Sequence, residues 1–447
     1  MTRSVDRLAH PTAIFTCALA LRVGVILVFL LLGAYRNPDT WESGAIASHL
    51  VKGQGYSVTW AGAPEPTSIE APLYPYLLAA AWTLLGQNQG TYLLLVLLQA
   101  VAMSSMVFPI HALTRRWFGP VPATAAAWMC ALWPIYLWET TRIYSTVLAI
   151  PPHPWMLAGW LSLAAVPSRG PQASQSPPRR GLLAAGVGAL TGLAGLTRPV
   201  LLPVYGLLSG LLILRHMRAR RWKEAAFLLT AGLVTLLVLT PWTVRNYRVH
   251  GRLLAVKDNF GKEFWMGNNP HATGTSFAEG GEVEITLRYP PRALSLAGQV
   301  PEIQIMDAFE AEAWDYVRSD PVAFVARTAK KALWFWTFVP ASVARSYGRF
   351  TAVVQFVHDG GWMLLLALAA LGLANRRGPS EYLTVLCFYL ALYSLTYGLT
   401  HVGQPRMRAE AEFIFFPAMG AGVAFVLARL RSRAQQAPAT AVTSWRG

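Results

Sequence analysis

Apolar runs of about 20 residues, the length that lets a helix cross a bilayer, recur along most of this 447-residue chain. The first run extends from Ile14 to Leu32. Only 13% of the residues are charged and 54% are hydrophobic, which leaves too little charge to cover a soluble protein of this length. The runs therefore predict an all-α polytopic membrane protein.

Basic residues cluster in short loops on one side of the predicted helices. The clusters lie at 115–116, 169–180, 215–223, 376–377 and 429–433. The positive-inside rule places these loops, together with both chain termini, in the cytoplasm. The formal charge of +16 follows this membrane pattern, so no nucleic-acid partner is expected. We expect a multi-pass protein of the cell membrane (the inner or cytoplasmic membrane).

The hydrophobic pattern predicts about ten transmembrane helices. They are expected near 12–34, 90–113, 120–138, 142–166, 182–196, 199–214, 225–243, 353–374, 381–400 and 409–429. The run 72–86 is too short to span and suits a helix at the membrane surface. Residues 35–89 therefore form one external loop with juxtamembrane helices.

This layout divides the chain into four parts. Residues 1–243 form an N-terminal transmembrane module that includes the loop 35–89, and 244–350 form a long external region. Residues 351–430 form the C-terminal transmembrane helices, and 431–447 form a disordered cytoplasmic tail. The external region holds 11 of the 22 acidic residues, so we expect it to be folded and exposed to water.

Two amphipathic helices are predicted in the external region. The segment 302–319 places one apolar face on a helix, made of Met306, Phe309, Ala313 and Val317. Asp320 and Pro321 then form a cap and a first turn. The helix that follows carries Val322, Val325, Ala329, Ala332 and Trp336 on one side. We expect this second helix to lie on the membrane.

Two carboxylates, Asp39 and Glu42, emerge within one helical turn just after the first apolar run. Asp39 could simply cap a helix that starts near Thr40, or the pair could do chemistry at the membrane surface. Arg22 lies near the middle of the first span, where a structural and a functional role both stay open. The three cysteines fall inside apolar runs, and no metal-binding motif is present.

Several cations are predicted at similar depth on the external side. They are Arg198, Arg245, Lys257, Arg406 and Arg408, with His401 beside them. Each alone could be an interface anchor, whereas together they would form a ring at the depth of a lipid phosphate, which arginine binds well. Asn268 and Asn269 lie in a Gly- and Pro-rich loop that either turns the chain or hydrogen-bonds sugar hydroxyls.

The order of several short motifs resembles one known family. The motifs are Asp39 with Gly53, Gly55 and Tyr56; Pro66-Thr67 to Tyr74-Pro75; Thr197-Arg198-Pro199; Pro241-Trp242 to Arg245-Asn246; Gly267 to Gly274; and Arg406 to Pro417. In these motifs the chain resembles polytopic GT-C-fold glycosyltransferases of the protein mannosyltransferase and aminoarabinose-transferase type, known as family 39.

The resemblance implies a site and a donor. The first external loop would form the active site, with Asp39 as the catalytic carboxylate and a sugar on a polyprenyl monophosphate as donor. Thr40 stands where many relatives carry a second acid, so the role of Glu42 is left open. Substrate-binding roles are implied for Tyr56, Tyr74 and Asn246, beside the cations and asparagines named above.

The residues and the resemblance together predict a glycosyltransferase that acts on the outer face of the membrane. Asp39 would serve as general base for an acceptor hydroxyl on a lipid, glycan or protein, and direct displacement would invert the anomeric centre. No cofactor is required in this scheme, and a role for a divalent metal is left open. The alternatives are a lipid or sugar transporter or flippase, which would favour internal repeats and broken helices, and a non-catalytic lipid-binding subunit.

Overall fold

The computed structural model describes residues 9–60, 62–166, 177–340, 342, 349–375, 378–402 and 405–436. Helices form nearly all the regular structure in these residues, and the single sheet there has two strands. The all-α class is therefore confirmed. Of the tail 431–447 that was expected to be disordered, residues 431–436 continue a helix, and the residues from 437 onward lie outside the described part of the chain.

The elements follow one another along the chain as a series of helices interrupted once by a hairpin. The first part contains α1 (Pro11–Leu31), α2 (Trp41–Val51), β1 (Ser57–Trp60), β2 (Ala63–Pro66), α3 (Leu73–Leu85), α4 (Gln89–Ser105), α5 (Val107–Phe118), α6 (Pro120–Leu132), α7 (Pro134–Thr140), α8 (Thr146–Ala149) and α9 (Pro152–Ala164). The middle part contains α10 (Pro177–Gly195), α11 (Leu201–Arg218), α12 (Trp222–His250), α13 (Phe260–Gly267), α14 (Ile285–Arg288) and a 3₁₀ turn (Arg292–Leu296). The last part contains α15 (Glu302–Ser319), α16 (Pro321–Trp336), α17 (Arg349–Asn375), α18 (Ser380–Leu399), α19 (Pro405–Glu412), a 3₁₀ turn (Phe413–Phe415) and α20 (Phe416–Gln436).

Six helical stretches within the described residues are long and apolar enough to cross a membrane. They are Pro11–Leu31, Gln89–Phe118, Trp222–His250, Phe356–Asn375, Ser380–Leu399 and Met407–Arg433. The bent pair of α6 and α7 brings the number to seven. The other three spans expected from the sequence are helical as well. However, α9 has only 13 residues, and α10 and α11 carry arginines at one end.

The bend between α6 and α7 explains the buried arginine of the first span. The two helices meet at 44°, and Pro134 has no N–H to donate to the carbonyl of Cys130. The Arg22 guanidinium donates to the carbonyls of Cys130 (3.4 Å) and Ala131 (3.1 Å) instead. Arg22 is fully buried, and these contacts support its structural role as a cap for the broken helix.

The first predicted external loop contains more structure than the sequence indicated. Besides α2 and α3 it holds the antiparallel hairpin of β1 and β2, which pairs Ser57 with Pro66 and Trp60 with Ala63. Gly53 and Gly55 lead into the hairpin with φ of 75° and 74°, a backbone conformation that favours glycine. The predicted juxtamembrane helix 72–86 is α3.

The region 244–350, which was expected to be folded, contains an apolar core. Met306, Phe309, Ala313 and Val317 of α15 are buried, which confirms the predicted face. They pack with Phe264 and other apolar side chains of α13. The two helices approach so closely that a Cβ on Gly261 would lie 2.0 Å from the Met306 carbonyl oxygen. The Asp320 carboxylate caps α16 by accepting from the Ala323 amide at 2.9 Å.

Helix α16 packs along the transmembrane helix α18. Trp336 Nε1 donates to Ser394 Oγ at 2.7 Å, and the Phe335 and Tyr397 rings stack at 4.5 Å. Val322 and Val325 point away from the protein and are 79% and 65% exposed. The first part of the predicted apolar side of α16 is therefore exposed, whereas Trp336 at its end packs against the protein. Helix α12, in turn, continues past the predicted domain boundary at 243 to His250.

Candidate functional site

A polar cavity of about 210 Å³ lies where the first predicted external loop meets the long external region. Segments from distant parts of the chain line it: the start of α2, the residues before α3, the turn before α8, the turn after α10, and the segments around α13 and after α18. Its ionisable lining residues are Glu42, Glu70, Arg198, Lys257, Lys262, Glu263, Glu284 and His401. The cavity thus collects cations and carboxylates in one place.

The structure separates the two carboxylates of the first loop. Glu42, in the first turn of α2, lines the cavity together with Trp41 and Ser43. Asp39 is exposed, and its Oδ1 accepts from the Trp41 amide at 3.0 Å, which is a cap-like contact. Trp41 itself has φ of 53°, a strained conformation of the kind that clusters at functional sites. Asp39 is therefore tied to a lining residue without lining the cavity itself.

Arg198 is the cavity cation with the firmest anchoring. It lies in the turn between α10 and α11, and its Nε is 2.7 Å from Glu410 Oε1 of α19. Its Nη2 donates to the Tyr397 hydroxyl at 3.2 Å. Burial would lower the pKa of Arg198, but the Glu410 carboxylate outweighs it and the pKa is raised. The guanidinium is therefore charged at all working pH values.

Two lysines line the cavity beside their own carboxylates. Lys257 Nζ is 3.4 Å from Glu70 Oε2, and Glu70 Oε1 accepts from Ser145 Oγ at 2.8 Å. Lys262 Nζ is 3.9 Å from Glu284 Oε1. Both pairs are partly exposed, so they are accessible to a ligand in the cavity.

His401 and Glu263 form a further pair in the cavity wall. His401 Nδ1 lies 3.2 Å from Glu263 Oε2, and Asn259 donates to Glu263 Oε1 at 2.8 Å. Burial lowers the pKa of His401 and outweighs the effect of Glu263, so the ring is neutral near pH 7. Burial would raise the pKa of Glu263, but His401, Lys257 and other nearby cations more than offset it, so the carboxylate stays ionised.

Arg245 and Asn246 hold the first loop in place and do not line the cavity. Arg245 donates to the carbonyls of Thr67 (2.7 Å) and Tyr56 (3.0 Å) and to Ser68 Oγ (2.9 Å). Asn246 accepts from Ser68 Oγ at 2.8 Å. The Tyr56 hydroxyl donates to the Glu70 carbonyl at 2.8 Å. This set of contacts joins the end of α12 to the segment that presents Glu70.

Other residues expected to bind substrate are buried in structural contacts. Tyr74 is buried in α3, and its hydroxyl donates to Gln99 at 3.4 Å. Asn268 donates to the carbonyls of Phe264 and Leu399, and Asn269 donates to the carbonyl of Trp265 at 2.8 Å. These contacts match the turn-forming alternative for the asparagine loop.

A buried lysine contacts both the asparagine loop and the segment that follows α18. Lys331 of α16 donates to the carbonyls of Gly267 (3.1 Å) and Thr400 (2.6 Å). Burial lowers the pKa of Lys331 to about 7. A Cβ on Gly267 would lie 1.6 Å from the Thr400 carbonyl oxygen, so the two segments can meet only at a glycine.

Arg408 lies in a separate buried network. Its Nε is 2.7 Å from Glu412, its Nη2 is 3.6 Å from Asp359 and 3.1 Å from His358, and Trp133 also donates to Glu412. This network joins α19 to α17 and to the bend after α6. The Arg406 side chain lies outside the described residues.

Among the described residues, no group of three or more His, Cys, Asp or Glu side chains is arranged to hold a metal ion. Six residues of the site and its surroundings were not candidates from the sequence: Glu70, Ser145, Lys262, Glu263, Glu284 and Glu410. Glu70 lies within the motif from Pro66 to Pro75 and Glu410 within the motif from Arg406 to Pro417, so both lie inside recognised motifs. The others carry no local signal.

The fold and the site define a polytopic helical membrane protein with the GT-C fold and a charged cavity among its predicted external segments. It is similar to the apo oligosaccharyltransferase of Archaeoglobus fulgidus, with a TM-score of 0.55 and 13% identity over 98% of this chain and 53% of that one. The oligosaccharyltransferase AglB of that organism, solved with an inhibitory peptide and a dolichol-phosphate, has a TM-score of 0.50 and 14% identity over 98% and 52%. This chain thus spans about half the length of these archaeal proteins.

ArnT of Cupriavidus metallidurans, solved with undecaprenyl phosphate, is also similar, with a TM-score of 0.40 and 16% identity over 94% of this chain and 80% of that one. No family model matches the chain, and no curated protein does. The identities are low, so the similarity establishes only the fold. The residues that line the cavity are the basis for inferring its chemistry.

Proposed function

We propose that this protein is a membrane glycosyltransferase that moves a sugar from a polyprenyl-phosphate donor to an acceptor hydroxyl. The observation that supports this most is the single cavity in which Arg198, Lys257 and Lys262 lie beside the carboxylates of Glu42 and Glu70. Sugar transfer from a phosphate needs cations that stabilise the departing phosphate and a carboxylate that accepts the hydroxyl proton. The cavity contains both the cations and the carboxylates that this reaction needs.

The fold agrees with a lipid-linked substrate. The archaeal oligosaccharyltransferase AglB was solved with a dolichol-phosphate, so a protein of this fold can hold a polyprenyl-type phosphate. In the present chain the cavity lies between segments that the basic residues predict to be external. We therefore place the donor in the outer leaflet, with its phosphate near Arg198 and Lys257 and its sugar toward the first loop. The sugar is a hexose or pentose, and the scheme requires no cofactor.

Asp39 is the proposed general base, and Glu42 is the second carboxylate. Asp39 is one of the residues on which the resemblance to the family rests. Its carboxylate accepts a hydrogen bond from the backbone amide of Trp41, which lines the cavity. Catalytic contacts are often loose before substrates bind and tighten in the complex. Direct displacement by the acceptor then inverts the anomeric centre.

Asp39→Asn tests this assignment, because the amide oxygen can still accept from the Trp41 amide but cannot take a proton. We expect normal expression, retained binding of the donor lipid, and a loss of turnover of about 100-fold or more. Glu42→Gln is the matched comparison and should lose less. Normal transfer by Asp39→Asn, with a collapse only in Glu42→Gln, would assign the base to Glu42 instead.

A further inference from the structure

Every lysine and arginine that lines the described cavity is already paired with a carboxylate. Arg198 pairs with Glu410, Lys257 with Glu70, and Lys262 with Glu284. A phosphate group that enters the cavity therefore finds no unpaired cation. It must join an existing pair or replace a carboxylate, and the three pairs differ in how readily they permit this.

The ion pair of Arg198 and Glu410 is held in place by burial and by further contacts. Its N–O distance of 2.7 Å is that of a close ion pair, and the Glu410 side chain has no exposed surface. Glu410 is fully buried beneath the cavity and does not line it, and Tyr397 provides Arg198 with a second contact. An incoming phosphate could add to Arg198 but could not easily displace Glu410.

The pair of Lys257 and Glu70 is looser than the Arg198 pair and is open to the cavity. Its distance is 3.4 Å, and the two side chains are 18% and 16% exposed. Lysine has a flexible stem and a compact charge that can follow a new anion. Both residues line the cavity, so a phosphate can reach the ammonium from the cavity side. The pair of Lys262 and Glu284 is longer still, at 3.9 Å, but its side chains are 35% and 38% exposed, so water already screens it and a phosphate would gain least there.

Glu70 would stay in place if Lys257 moved. Its second oxygen accepts from Ser145 Oγ at 2.8 Å, and its backbone carbonyl accepts from the Tyr56 hydroxyl at 2.8 Å. Both contacts are independent of Lys257. Removal of the ammonium would leave a fixed carboxylate oxygen facing the cavity, ready to accept a new hydrogen bond.

We propose that Lys257 and Glu70 form an exchangeable ion pair that makes acceptor binding depend on a bound donor. The donor phosphate pairs with Lys257, and the Glu70 oxygen that is released accepts a hydrogen bond from a second donor group of the acceptor, because the one proton of the attacking hydroxyl goes to Asp39. This inference rests on the proposed function. It makes Glu70 a positioning residue for the acceptor, and it predicts ordered binding with the donor first.

Binding of a short polyprenyl monophosphate without a sugar, farnesyl phosphate, tests the exchange without any chemistry. Glu70→Gln removes the competing carboxylate and should tighten binding to the purified full-length protein by about three- to tenfold. Lys257→Gln should weaken binding, and the double variant should bind like Lys257→Gln alone. Asp307→Asn is the matched control, because Asp307 pairs with Arg252 outside the cavity and should leave binding unchanged.

Unchanged or weaker binding by Glu70→Gln, with a melting temperature like that of the wild type, would overturn the exchange. Inorganic phosphate is the second probe and should bind far more weakly, because it lacks the apolar tail. Equal affinity for the two probes would contradict a lipid donor. A wild-type protein that binds no farnesyl phosphate would refute the proposed function itself, and that outcome differs from the failure of Glu70→Gln alone.

Discussion

At the scale of single residues, the structure divides the predicted ring of cations into different roles. Arg198 and Lys257 line the cavity. Arg245 binds the backbone of the first loop, and Arg408 is buried beside Glu412 and Asp359. These residues look alike in sequence, since each is an arginine or lysine near the predicted external end of a helix. Their different roles follow from which segment each side chain reaches.

Replacing Arg198 should impair turnover more than folding, provided that its buried partner is neutralised with it. In the double variant Arg198→Gln with Glu410→Gln, no charge is left buried without its partner, which would otherwise cost about 3–5 kcal/mol. We expect a melting temperature near that of the wild type. Turnover should fall by roughly 30- to 900-fold, the equivalent of 2–4 kcal/mol of lost phosphate stabilisation.

Arg245→Gln is the comparison for the Arg198 variant. It should lower the melting temperature, because the carbonyls of Tyr56 and Thr67 lose their donor. A variant that melts like the wild type yet has lost its turnover would show that Arg245 binds the phosphate after all.

At the scale of elements, the broken helix formed by α6 and α7 positions part of the site. Helix α7 leads directly to Tyr144, Ser145 and Thr146, which line the cavity. The bend therefore fixes the position of Ser145, which donates a hydrogen bond to Glu70. Arg22 holds the bend by donating to carbonyls that Pro134 and the end of α6 leave without intrahelical partners.

Arg22→Leu should destabilise the protein, since two buried carbonyls lose their donors at a cost of roughly 1–3 kcal/mol each. Arg22→Lys can reach one of them and should lose less. Thermal unfolding of the detergent-solubilised protein measures this difference. A leucine variant as stable as the wild type would show that Arg22 is not the cap.

The helices were largely predictable, because apolar runs and the 3.6-residue period act locally. The buried face of α15 and the cap at Asp320 follow from such patterns. The hairpin of β1 and β2 was not predictable, since its strands have four residues each and β2 contains two prolines. Strand pairing there depends on two neighbouring segments that carry little pattern of their own.

The cavity could be predicted only in part. Four of the candidates selected from the sequence line the cavity, namely Glu42, Arg198, Lys257 and His401. Other candidates do not line it: Asp39, Tyr56, Tyr74, Arg245, Asn246, Asn268, Asn269 and Arg408. Glu263 and Glu284 could not be selected, because an acid in a polar segment looks the same whether it faces solvent or a site. Only the three-dimensional approach of these segments makes them a site.

At the scale of the whole molecule, the fold brings a charged cavity to the end of a bundle of apolar helices. The first loop, predicted to be external, supplies Glu42 and Glu70, and the region 244–350 supplies Lys257, Lys262 and further lining residues. A donor with a long apolar tail can keep its tail in lipid while its phosphate enters the cavity.

The most direct test of the account is turnover by the purified protein in sealed vesicles with a panel of polyprenyl-phosphate sugars and a cell-envelope extract as acceptor. The account predicts that at least one donor releases free polyprenyl monophosphate in step with the appearance of its sugar on the acceptor. Movement of an intact sugar-phosphate lipid across the bilayer, with no phosphate released from any donor, would contradict it and identify a flippase.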